Sequence, residues 1–246
     1  TSTPTSTYTV APTNTNTPTA THTSQPISNP HKPDDFDEDD MSDIGFFRAS
    51  APGLWGILKS SEAFDYNNAQ WFSWGQDGDL PVLGDYDGDG MADPTVRRPP
   101  AGGQSAAILA LLSSTGYDYG QALIIPAGWP SIGDTPVPED YDGDGMTDPA
   151  IWRESQGVWI IPLSGGSYST FIFASWGVSG DSPVGADVDG DGMADIGFFR
   201  ASSGLWGFLK SSTGYSLGDP VWFSWGGPTQ TPMMYSWLLM WMCQLV

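Results

Sequence analysis

Four short stretches of this chain carry aspartate at the first, third, fifth and ninth positions. They are Asp35, Asp37, Asp39 and Asp43; Asp85, Asp87, Asp89 and Asp93; Asp140, Asp142, Asp144 and Asp148; and Asp187, Asp189, Asp191 and Asp195. Sixteen of the 29 acidic residues occupy these positions, so the negative charge is concentrated rather than spread. Two carboxylates about 4 Å apart repel by roughly 4 kcal/mol at an effective dielectric near 20. A solvated acidic turn is the plain alternative for one such loop. Four in the same register favour a shared counter-ion, a hard cation wrapped by oxygen ligands. The seventh position would add a backbone carbonyl, from Met41, Met91, Met146 and Met193, and glycine at the sixth (Gly90, Gly145, Gly192) permits the sharp turn. Calcium tolerates a flexible shell of many oxygens, whereas magnesium demands a near-octahedral one and keeps more water. The expected cofactor is therefore calcium, up to four ions, one per loop. The first loop departs from the others, with Glu38 and Asp40 where they have glycine. Aspartate reaches the left-handed conformation less easily than glycine.

Little other chemistry is on offer. The two histidines, His22 and His31, lie outside the acidic stretches, and Cys243 is the single cysteine. No intrachain disulfide, cysteine-based zinc site or Ser/His/Asp set can be assembled from the loop-bearing region, so the chain reads as a non-enzyme. With 8 basic against 29 acidic residues, a net charge of −21, nucleic acid is excluded as a partner.

The loops must be held by something, and the surrounding text repeats with them. Loop starts lie 50, 55 and 47 residues apart. A short apolar strand follows each loop, as in Ile44–Arg48 and Ile196–Arg200. A Gly/Ser/Pro turn leads to a second strand, expected over Leu54–Ser60, Ala106–Ser113, Val158–Ser164 and Leu205–Ser211. A third ends in Trp-Gly, at Trp74-Gly75, Trp176-Gly177 and Trp225-Gly226. Short strands separated by frequent turns, with no sustained helical period, predict an all-β fold. Asp43–Ser50 and Asp195–Ser202 are identical, which suggests duplication. Arg48, Arg98, Arg153 and Arg200 each fall five residues after a final loop aspartate, and a fork-like pairing with a carboxylate or carbonyl inside the unit is expected, a ligand-binding arginine ring being the alternative. The recurrent tryptophans read as core between sheets; exposed faces could stack on sugars.

Three regions follow from this: 1–33, 34–226 with units at about 34–84, 85–139, 140–186 and 187–226, and a divergent tail at 227–246. In the first, threonine occupies every odd position from Thr1 to Thr23 except Ala11. Such Thr/Pro-rich text reads as an extended stalk or docking segment or a plain linker, with Thr1, Thr3, Thr5, Thr7, Thr9, Thr13, Thr15, Thr17, Thr19, Thr21 and Thr23 as O-glycosylation candidates. Met233–Val246 is apolar, but at 14 residues it is shorter than the roughly 17–25 of a membrane span. A buried terminal strand, a hydrophobic sorting tail and a reading-frame artefact remain open for it.

The text from Gly84 to Pro94 (Gly-Asp-Tyr-Asp-Gly-Asp-Gly-Met-Ala-Asp-Pro), then Arg98, an apolar strand and Trp-Gly resembles the FG-GAP/VCBS-type repeat of integrin α-subunit propellers and many bacterial surface proteins. The resemblance covers about residues 34–226. It implies a β-propeller-like array of four-stranded blades with calcium in the loop between two blade strands, held by Asp85, Asp87, Asp89 and Asp93 and their counterparts. Family propellers commonly have seven blades and this chain has four, so a closed ring, an open array and closure by a neighbouring chain all remain open. The expected role is an extracellular or cell-surface structural protein that assembles with itself into a homopolymer or filament, residues 1–30 docking on a neighbour. The alternative is a calcium-dependent adhesion or carbohydrate-binding module with glycans as partners.

Overall fold

The computed structural model describes residues 34–101, 105–126 and 133–229. The N-terminal threonines, the first region's proposed stalk and the hydrophobic tail lie outside them. The described chain is all-β, four antiparallel sheets arranged as the blades of a propeller, with only single-turn 3-10 helices between strands.

Blade one has three strands, β1 (Ile44–Arg48), β2 (Leu54–Leu58) and β3 (Gln70–Phe72). The other three blades have four each. Blade two holds β4 (Leu80–Pro81), β5 (Thr95–Arg98), β6 (Ala107–Ala110) and β7 (Leu123–Pro126). Blade three holds β8 (Thr135–Pro136), β9 (Ile151–Arg153), β10 (Val158–Leu163) and β11 (Thr170–Ser175). Blade four holds β12 (Ser182–Ala186), β13 (Asp195–Arg200), β14 (Leu205–Leu209) and β15 (Val221–Ser224). Every sheet is a meander in chain order.

The strand before each acidic loop pairs with the strand after it: Pro81 faces Val96, Pro136 faces Ile151 and Gly185 faces Ile196. The structural blade thus opens one strand earlier than the sequence unit, and the acidic loop connects its first two strands. The second strands stop short of the serine expected to end them, because that serine's N–H is turned toward the preceding loop.

Side chains pack between blades as well as within them. Phe36, Trp55, Ile57 and Phe72 of blade one bury against Leu83, Ala92, Val96, Leu109 and Leu111 of blade two. Tyr141, Trp152, Trp159 and Ile161 of blade three do the same with Ala194, Ile196 and Leu209 of blade four. Non-directional burial of this kind is what a single small sheet cannot achieve alone. Tryptophan adds direction. The indole N–H of Trp55, Trp159 and Trp206 donates to the carbonyl of Trp74, Trp176 and Trp225, tying the second strand to the end of the last.

The arginines form the expected forks. Arg98, Arg153 and Arg200 each give two hydrogen bonds to a buried carboxylate, Asp79, Asp134 and Asp181, at 2.7–3.0 Å. Each acid lies 19 residues earlier, just before the blade's first strand. Arg48 has no such carboxylate among the described residues, in keeping with blade one having no strand before its loop there.

Candidate metal centre

Each acidic loop is built on the same hydrogen bonds. The position-one carboxylate folds the loop around itself. Asp85 accepts from the N–H groups of Asp87, Gly88 and Gly90, and Asp35 and Asp140 accept from the matching three. Asp187 accepts from Gly190 and Gly192. Such wrapping needs positive φ at positions four and six. Gly88 and Gly90 supply it at 77° and 93°, and in the first loop Glu38 and Asp40 adopt 61° and 63°. The two glycine replacements therefore leave the loop's path intact, at some backbone cost.

The position-nine carboxylate is the anchor. Asp43, Asp93, Asp148 and Asp195 accept from the N–H at position two (Phe36, Tyr86, Tyr141, Val188) and from the serine that follows the second strand (Ser60, Ser113, Ser164, Ser211), at 2.6–2.9 Å. One carboxylate thus fixes the loop to the sheet. The hydroxyl of the same serine donates to the position-five carboxylate, Asp39, Asp89, Asp144 or Asp191. The sequence marks these serines only as strand ends, although they recur 16 to 20 residues after the anchor. Serine is too common in turns for that spacing to mark them.

Oxygen atoms converge in every loop. In loops two to four they belong to positions one, three and nine: Asp85, Asp87 and Asp93; Asp140, Asp142 and Asp148; Asp187, Asp189 and Asp195. In the first loop they belong to Asp35, Asp37 and Asp39. Within each group the oxygens lie within 4.8 Å of one another. Asp89, Asp144 and Asp191 stand outside these groups, as does Asp43. The methionines Met41, Met91, Met146 and Met193 donate their N–H to the position-five carboxylates.

Two further observations test whether a cation fits. Oδ1 of Asp37, of Asp87 and of Asp142 is buried and has no hydrogen-bond partner. An acceptor in that state costs about 1–3 kcal/mol or more, and a cation would satisfy it. Burial also pushes the Asp93 carboxyl up to about 8, helped by the charge of Asp87, and burial pushes Asp148 up to about 7. Burial raises Asp43, Asp85, Asp142 and Asp195 as well. Carboxylates driven out of their charged form by burial and mutual repulsion are the donor set that a positive ion stabilises. Four loops could therefore each hold a metal ion.

Loops also join one another. The N–H at position eight donates to the position-one carbonyl of the preceding loop: Ala92 to Asp35, Thr147 to Asp85 and Ala194 to Asp140, at 2.5–2.7 Å. Tyr168 and Tyr215 reach back similarly, to the carbonyls of Tyr86 and Tyr141. No helix among the described residues is long and apolar enough to cross a membrane. Comparison with protein-family models, with curated proteins and with solved structures finds no match.

Proposed function

We propose that this chain is an extracellular structural protein whose blades are stapled by calcium and which assembles with copies of itself. The observation that carries the metal reading is the convergence of three carboxylate oxygens in each of four loops, three of the loops keeping a buried, unpartnered Oδ1. Calcium fits the donor set because every candidate ligand is a hard oxygen on an irregular loop. Asp85, Asp87 and Asp93, with the matching residues of loops three and four, and Asp35, Asp37 and Asp39 in the first loop, would hold the ion. What the ion supplies is charge neutralisation at the joint between a blade's first two strands and between successive loops. The resemblance to FG-GAP/VCBS-type repeats supports the same reading. So does the absence of histidine and cysteine from the blades, which argues for a structural rather than a catalytic role.

Thermal unfolding followed with calcium and then with excess chelator tests this. An ion bound only by the folded state stabilises it by about 2.7 kcal/mol per site at one hundred times its dissociation constant. A rise of many degrees in Tm with calcium, and a smaller one with equal magnesium, is expected. An unchanged Tm would overturn the metal reading.

A further inference from the structure

The two ends of the blade array are the two unmatched halves of a junction that the chain uses internally. Hydrogen bonds join blade one to two, two to three and three to four, and among the described residues none joins four to one. At the junction of blades three and four, Trp176 leaves the end of β11 and docks on blade four. Its indole N–H donates to the carbonyl of Gly207, and its ring lies 5.5 Å from Phe198 and 5.1 Å from Trp222. Trp74 makes the matching bond to Leu109 at the junction of blades one and two.

Blade one repeats the receiving half of this junction with the same residues. Phe46, Gly56 and Trp71 occupy the places of Phe198, Gly207 and Trp222, and Phe46 and Trp71 form the same edge contact, at 5.7 Å. A Cβ at Gly56 would meet both rings within 2.8 Å, as one at Gly207 meets Trp222, so glycine there keeps the two rings over the strand. Among the described residues, no indole fills this receiver. Ile44 is 57% exposed, whereas Ile196, in the identical stretch of blade four, is 0%. Blade four carries the other half. Trp225, the counterpart of Trp74 and Trp176, is 80% exposed, and Phe223 is 49% exposed where its counterpart Phe72 is 6%. The loops end in the same way. Among the described residues, the Asp187 carbonyl at one end receives no N–H from a following loop, and the Ser42 N–H at the other donates to no preceding one. Met146 and Met193 pack on Gly88 and Gly143 of the loop before them, whereas nothing packs on Gly190, and Met41 is exposed. The match departs at one point. Phe64 stands where Tyr117, Tyr168 and Tyr215 stand in the other blades, so the hydroxyl with which Tyr168 and Tyr215 reach the preceding loop is missing there.

We propose that blade four of one copy docks on blade one of a second copy, Trp225 entering the receiver of Phe46, Gly56 and Trp71 and donating to the Gly56 carbonyl, so that chains join head to tail with the blade succession unbroken. This deepens the self-assembly part of the proposed function by naming the partner and its contacts; it does not depend on which ion fills the loops. The occupant is a second copy because two internal junctions, one to two and three to four, display the same indole pairing and the two halves sit on opposite ends of the described blade array.

The test is molar mass by light scattering against concentration, on the full chain in calcium. Wild type is expected to grow beyond the single-chain mass as concentration rises. Trp225→Ala and, separately, Trp71→Ser are each expected to remain at the single-chain mass, with Tm within a few degrees of wild type because both side chains are exposed. Mixed one to one, the two variants are expected to form pairs and nothing larger, since each retains one working end. Wild type at the single-chain mass throughout, whether from ring closure or from idle ends, overturns the proposal. So does association of Trp225→Ala equal to that of wild type. If calcium leaves Tm unchanged while Trp225→Ala still abolishes association, the metal reading has failed and the docking reading stands; the converse pattern separates them the other way.

Discussion

The position-nine aspartates carry two duties that pull against each other. Both oxygens of Asp93 take backbone N–H groups, from Tyr86 and Ser113, which favours the charged form, yet burial and the neighbouring Asp87 disfavour it more, and the carboxyl sits at about 8. Asp148 sits at about 7 for the same leading reason, burial. A carboxyl raised above its unfolded value of 3.8 contributes stability that is complete below that value and is lost as pH rises through the folded one. The metal-free protein is therefore expected to lose stability steadily from about pH 4 to pH 8, the window set by these two groups. A bound cation favours the ionised form and removes the slope. Tm measured in chelator should fall between pH 5 and pH 8, while the gap between the calcium and chelator curves widens. A flat chelator curve would show that burial does not govern these carboxyls. The sequence made the ligand candidates legible because charge crowding is a local property. It could not show which oxygens converge: Asp43 and Asp93 hold the same loop position, as do Asp39 and Asp89, yet Asp93 and Asp39 join the converging groups and Asp43 and Asp89 do not.

At the scale of the element, periodicity made the strands legible and left their grouping unread. Ile44–Arg48 is observed at the expected bounds, since alternation within a short strand is local. The assignment of Leu80–Pro81, Thr135–Pro136 and Ser182–Ala186 to the following blade was not legible, because the first two have only two residues and no period of their own, and all three reach their partner across the loop. The arginine forks belong to this grouping. Asp134 is nearly fully buried, and Arg153 gives it two hydrogen bonds from the strand beside it. Breaking such a pair leaves an uncompensated buried charge. Arg153→Ala is expected to cost on the order of 2–3 kcal/mol in chemical denaturation. Arg48→Ala, at the same sequence position but with no carboxylate partner among the described residues, is expected to stay within about 0.5 kcal/mol of wild type. Equal losses in the two variants would mean that the fork is not what holds the first strand to the second.

For the molecule as a whole, local sequence and environment part company. Asp43–Ser50 and Asp195–Ser202 are the same eight residues, yet the strand within the first is largely exposed and that within the second largely buried, because among the described residues only the second has a strand paired on its other side and a blade ahead of it. No reading of the sequence by itself assigns different fates to identical text; the difference lies in what is packed on each. Charge is likewise a property of the whole. The chain carries −21, and four calcium ions would add 8 positive charges, leaving −13. Successive loops are hydrogen-bonded to one another, so the four acidic groups form one chain of charge rather than four separate ones. Repulsion along it acts between partly exposed carboxylates, the kind that dissolved salt screens over about 10 Å at 0.1 M. Sodium chloride is therefore expected to raise Tm in chelator by several degrees between low salt and about 0.5 M, and to have little effect once calcium is bound, because the ions have already removed most of what salt can screen. If salt raised both curves equally, the stabilisation would have to be assigned to general strengthening of apolar burial. A salt response confined to the chelated protein would place the electrostatic strain in the loops, where the crowded carboxylates are.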